Sequence, residues 1–289
     1  MPDFKFAAAA LAGVDLLRRR PLQTLGLALV GTVGSLGGRV CILVSDHLQA
    51  NRSPRSLPDT TLDGFASLAI ILILIVVASV IGAAVMRAVA TDEPAGQRPR
   101  FGADEVRLLL LSSLLVPGLF IVLLALFIGG AITSVARESF SGGDVFMTGA
   151  ASIGAAVAIG LASRFCLAGP LTVRDGRLRL KASWRMTQAQ PWKVFSVFVI
   201  ALGLGFVVGV LGMFALNRAT SGLNLSTWQA YGPSLTDALV AAIQPVKLAY
   251  LLAQGLLIGL ALILYSAPPA KIYRDLASET AADQVAVFD

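Results

Sequence analysis

The chain is poor in the residues that most enzymatic chemistry requires. Its 289 residues include one histidine, His47, which excludes zinc sites built from several histidines and the His-Glu-x-x-His pattern. His47 follows Asp46 at the end of an apolar run, where a solvated polar boundary outweighs a catalytic base. Two cysteines, Cys41 and Cys166, form no cluster, and neither a Walker loop nor a nucleophile elbow is present. Gly203-Leu204-Gly205 lies inside an apolar run with no strand before it, so it is no phosphate cradle. Charged residues make up only 14% of the chain, and the carboxylates fall in connecting segments and tails, which argues against a proton relay through paired intramembrane acids.

Apolar sequence fills the space that charge leaves. Hydrophobic residues account for 56% of the chain, gathered into runs at Leu22–Val44, Phe65–Met86, Leu108–Ile132, Val145–Ala162, Val194–Leu216 and Leu239–Tyr265. Each is near the ~20 residues that an α-helix needs to cross ~30 Å of hydrocarbon. Lipid offers backbone N–H and C=O groups no partners, so each run must close its hydrogen bonds internally as a helix. The fold class read from this is all-α, a polytopic membrane bundle of six helices in three hairpins with short interfacial helices. Residues 1–289 make one integral membrane domain: an interfacial arm (1–20), the six-span bundle (21–274) and a tail (275–289).

Charge placement sets the expected orientation. Of 23 basic residues, 17 fall before the first run, between the second and third, between the fourth and fifth, or after the sixth. By the positive-inside rule both termini are cytoplasmic. Topology thus accounts for the net charge of +6, and nucleic acid is not an expected partner. The first run, entered after Arg18-Arg19-Arg20, reads as an uncleaved span rather than a signal peptide. Cys41 and Cys166 come out at opposite depths, too far apart for a disulfide.

Three runs begin at Leu22, Leu108 and Val194, a spacing of 86 residues each time, which suggests three copies of one unit. Pro21 and Pro191 stand where the first turn of a helix tolerates the missing N–H, while the second unit carries Asp104 and Glu105 there, suited to the positive end of the helix dipole. In the arm, Phe4, Ala7, Ala8 and Leu11 share a side of a short interfacial helix, with Asp15 intruding on it. Leu178–Ala189 is a second interfacial segment, of weak periodicity. Trp184 and Arg185 within it, and Trp192 and Lys193 just beyond it, are candidate interfacial anchors. Small residues recur at helical spacing, including Gly34 and Gly38, Gly205 and Gly209, and Gly255 and Gly259, which predicts close helix packing. Two cations fall within apolar runs toward the outer side, Arg39 and Lys247. They either snorkel to headgroup level or, with Gln244, bind an anionic headgroup or small anion.

Ser183-Trp184-Arg185-Met186-Thr187 followed by Trp192-Lys193-Val194-Phe195, and the ending Ala270-Lys271-Ile272-Tyr273-Arg274-Asp275-Leu276, resemble the membrane domain attached to some bacterial glycerophosphodiester phosphodiesterases and stand-alone inner-membrane proteins of the YciC type. The resemblance implies a membrane module without the separate catalytic barrel, and it supplies no catalytic residue. The expectation is a non-enzymatic protein of the bacterial cytoplasmic membrane with no cofactor and no metal. Membrane lipids are its expected partners, and a membrane or cytoplasmic protein partner and self-association are left open. A scaffold in envelope maintenance is the first reading, a permease for a lipid or small amphiphile the second.

Overall fold

A computed structural model describes residues 4–50, 59–91, 102–114, 156–221 and 244–286. Regular structure in these residues is helical throughout. Five segments among them are long and apolar enough to cross a membrane: Pro21–Leu48, Phe65–Val89, Ala156–Asp175, Pro191–Thr220 and Pro245–Ser278. In chain order the helices are α1 (Phe6–Ala10), α2 (Ala12–Arg19), α3 (Pro21–Ala28), α4 (Val30–Ala50), α5 (Asp59–Thr91), α6 (103–114), α7 (156–165), α8 (Ala168–Asp175), α9 (Leu180–Gln188), α10 (Pro191–Phe206), α11 (Gly212–Thr220) and α12 (Pro245–Ala286), with a π-turn at Val207–Leu211. Of the expected run Leu108–Ile132, residues 108–114 are described, within α6. The rest of it, with Pro117, lies outside the described residues, as do residues 222–243 with Trp228 and Tyr231.

Two boundaries differ from the hydropathy reading. The run expected to end at Ala162 continues to Asp175, because Arg164 does not stop it: NH1 donates to the Thr187 carbonyl at 3.1 Å. The segment ends where Gly176 takes the left-handed conformation (φ 63°) and its N–H donates to the Thr172 carbonyl. The C-terminal helix likewise does not stop near Arg274 but runs through Pro268 and Pro269 to Ala286. Packing against neighbouring helices tolerates the two missing donors.

Helix α12 is the hub, touching α2, α3, α4, α5, α8, α10 and α11. In lipid no hydrophobic force draws apolar helices together, so close backbone approach matters more. A Cβ on Gly31 would overlap the Gly255 carbonyl, one on Gly255 would overlap Thr32 Cα, and one on Gly259 would overlap the Ala28 carbonyl. The Gly255/Gly259 pair is thus spent on an internal α4–α12 contact. Gly34 meets Val77 and Gly38 meets Ile70 on α5, while Gly205 and Gly209 meet Ala261 of α12.

The arm forms two short helices where one is expected. A break at Leu11 (φ −97°, ψ 11°) separates α1 from α2, and the rephased buried set is Phe4, Ala9, Ala10, Ala12, Gly13 and Leu16. Ala7, Ala8 and Leu11 are exposed. Small size is what lets this segment dock: a Cβ on Gly13 would stand 2.8 Å from Leu264 Cα. Phe4, Ala9 and Ala10 pack with Leu167, Val194 and Ile272, and Ala12 and Leu16 pack with Ala88, Val89 and Ala270.

The expected likeness of the first and third entries has a structural counterpart. Arg20 before Pro21 has φ −137°, ψ 61°, and Gln190 before Pro191 has φ −139°, ψ 61°. Each joint is preceded by a short helix, α2 in one case and α9 in the other.

Candidate functional site

Arg18–Arg20, the end of α5, the start of α6, α8, α9 and the Lys271–Arg274 part of α12 gather at one end of the bundle. Its interior is tied by charge. Glu105 is 1% exposed, and its Oε1 accepts from Arg87 NH2 at 2.6 Å, while Oε2 accepts from the Gly102 N–H at 2.9 Å. The Gly102 carbonyl takes the first bond of α6 from Val106, so Glu105 supplies half of a capping box. Asp104 Oδ2 stands 3.6 Å from Arg87 NH1, and its Oδ1 accepts from Arg107 NH1 at 3.1 Å. Sequence reading assigned Asp104 and Glu105 to the helix dipole and Arg87 to a loop; no local pattern marks them as a buried pair. Arg274 NH1 donates to the Val89 carbonyl at 3.0 Å, capping the last turn of α5, and Arg174 NH1 donates to the Tyr273 hydroxyl at 2.6 Å.

Helix α9 is attached by its polar side. Ser183 and Thr187 are fully buried, with both hydroxyls donating to the Arg164 carbonyl at the end of α7, at 2.9 and 3.4 Å. Arg164 returns the bond to Thr187 and lies 5.4 Å from the Trp184 ring centroid, which stands 5.6 Å from that of Phe165. The outward side carries Leu178, Lys181, Trp184 and Arg185. The helix is thus amphipathic through charge, with Lys181, Arg185 and Gln188 exposed and the smaller polar Ser183 and Thr187 buried. Arg185, with Arg179, Lys181, Leu180 and Met186, lines a cleft of ≈ 650 Å³. Trp192, in the first turn of α10, is 79% exposed and packs edge-on against Phe195. Lys193 turns inward instead, its Nζ 4.8 Å above the Phe4 ring, and so ties α10 to the arm.

A second cleft, of ≈ 660 Å³, opens between α1–α2, the end of α5 and the Lys271–Arg274 part of α12. Lys5, Arg18, Arg19, Arg20, Lys271 and Arg274 line it together with the carboxylate of Asp15. The sequence reading counted all six as topological charges. Their convergence comes from three separate parts of the chain and becomes visible only once α2 is docked beside α5 and α12.

At the opposite end, Arg39 on α4 is partly buried, Lys247 in the first turn of α12 is partly buried, and Gln244 is exposed. The two helices run antiparallel, Thr32 meeting Gly255 and Ala28 meeting Gly259. Carried about two turns outward, that register sets Arg39 and Lys247 at one depth. Cys41 and Cys166 are both free thiols.

This inventory suits binding of anions and amphiphiles. Among the described residues no group of three or more His, Cys, Asp or Glu side chains is placed to hold a metal ion. No family model matches the chain, and neither a curated protein nor a solved structure does.

Proposed function

We propose that the chain is a six-span protein of the bacterial inner membrane, arranged as three hairpins with both termini cytoplasmic, which acts without catalysis as a lipid- or partner-associated scaffold in envelope maintenance. The observation that carries this reading is α9: it spends its polar residues on the bundle and turns Trp184, Lys181 and Arg185 outward at the basic end. Each cation near an anionic surface contributes roughly 1 kcal/mol, decaying over about 8 Å at physiological salt, and interfacial Trp adds an anchor that salt does not screen. Close α4–α12 packing also favours a scaffold over a transport path.

The second reading, a permease for a lipid or small amphiphile, draws support from one feature. Ser35 Oγ and Gln254 Oε1 are buried within the spans with no hydrogen-bond partner among the described residues.

Single-tryptophan proteins retaining Trp184 or Trp192 test the first reading. Reconstituted in bilayers, both indoles are expected to be quenched by lipid-attached quenchers at headgroup depth and weakly by iodide. Strong iodide quenching with no effect of the lipid quenchers would remove the lipid-associated reading and make α9 a protein-docking element.

A further inference from the structure

The cleft beside the arm holds more positive charge than orientation requires. The positive-inside rule counts cations on one side of the membrane and does not ask six of them to converge. Held close together and partly out of water, like charges repel, and an anion relieves that cost. Some of the charge is compensated internally: Asp15 accepts from Arg19 at 2.9 Å and Asp275 from Lys271 at 2.7 Å. Lys5 and Arg18 remain exposed on the rim. The walls are apolar, with Leu11 48% and Val14 41% exposed, flanked by Ala7 and Ala8.

Depth points the same way. Arg20 immediately precedes the span that starts at Pro21, Val89 ends the span Phe65–Val89, and Lys271 and Arg274 lie in the last two turns of Pro245–Ser278. The cleft therefore stands at headgroup level, with cations for a phosphate and apolar side chains for the glycerol and upper acyl carbons. Its volume falls within the range usual for ligand sites.

We propose that this cleft holds the phosphate headgroup of one anionic phospholipid, its acyl chains leaving past Leu11 and Val14. The proposal deepens the lipid-associated reading and rests on the basic end facing a phospholipid leaflet.

Native mass spectrometry of the purified full chain tests it, with phosphatidylglycerol, phosphatidylcholine and inorganic phosphate as probes. Wild-type protein is expected to retain one phosphatidylglycerol in clear preference to phosphatidylcholine, with inorganic phosphate competing poorly. The Lys5→Gln/Arg18→Gln variant is expected to bind phosphatidylglycerol about thirtyfold more weakly, roughly fivefold per charge. Both side chains are exposed, and a circular-dichroism melt checks the fold. Should the variant not fold, the wild-type preference decides alone. Equal retention of the two lipids, or unchanged affinity in the folded variant, overturns the proposal. Displacement by inorganic phosphate at equal concentration would assign the cleft to free phosphate and overturn the lipid. Quenching of Trp184 by headgroup quenchers together with equal retention of the two lipids would sink the cleft proposal while leaving the lipid-associated reading in place.

Discussion

Glu105→Gln is expected to destabilise the protein by about 3–5 kcal/mol, the cost typical of leaving one member of a buried ion pair uncompensated. Glutamine still accepts from the Gly102 N–H, so the cap is kept and the loss isolates the Arg87 charge. The guanidinium keeps Asp104 at 3.6 Å, a longer contact than the 2.6 Å bond it loses. Replacing both partners with apolar residues of similar size, Arg87→Met with Glu105→Leu, is expected to recover most of the loss, because the desolvation cost of both charges disappears. Chemical denaturation in mild detergent, monitored by circular dichroism, measures both; a Glu105→Gln protein as stable as wild type would show that the pair is not buried as described.

Gly259→Val is expected to destabilise the protein by another route. Its Cβ would overlap the Ala28 carbonyl, and backbone cannot swing aside as a side chain can. Relief requires α3–α4 and α12 to separate, which loses close contacts along the joint and costs about 1–3 kcal/mol or more. Gly160→Val is the contrast, since nothing among the described residues lies within 4 Å of the added Cβ, and it is expected to change stability by less than ~1 kcal/mol. Thermal melts that shift equally for the two substitutions would contradict the α4–α12 contact.

Much of the fold is legible in the apolar runs. Their length and the lack of carboxylates within them lead to a helical membrane bundle, and the small-residue pairs foretell close packing. Span limits are less legible because hydropathy takes a cation as a stop, whereas Arg164 at the end of α7 finds the Thr187 carbonyl and the segment goes on into α8, and Arg274 finds the Val89 carbonyl within α12. In the arm, a break at Leu11 that no local pattern marks divides the one expected helix into two, with Phe4 turned to the bundle and Ala7, Ala8 and Leu11 exposed. Which side of α9 faces the bundle is hidden in sequence because that side is Ser183 and Thr187, which dock by hydrogen bonds rather than by apolar surface. For the candidate site the limit is distance in sequence. Trp184, Trp192, Arg185 and Lys193 stand out locally, although Lys193 turns to Phe4, whereas the cleft needs side chains some 250 residues apart and no local pattern announces it.

In the proposed orientation, the end carrying the buried Arg87–Glu105 pair, α9 and the basic cleft faces the cytoplasm. Single cysteines at Arg98, Asp175, Ser53 and Thr227, in a background lacking Cys41 and Cys166, test it most directly with a membrane-impermeant thiol reagent on intact cells. The expected result is labelling at Ser53 and Thr227 and protection at Arg98 and Asp175 until the membrane is permeabilised; labelling of Arg98 and Asp175 in intact cells, with Ser53 and Thr227 protected, would contradict it.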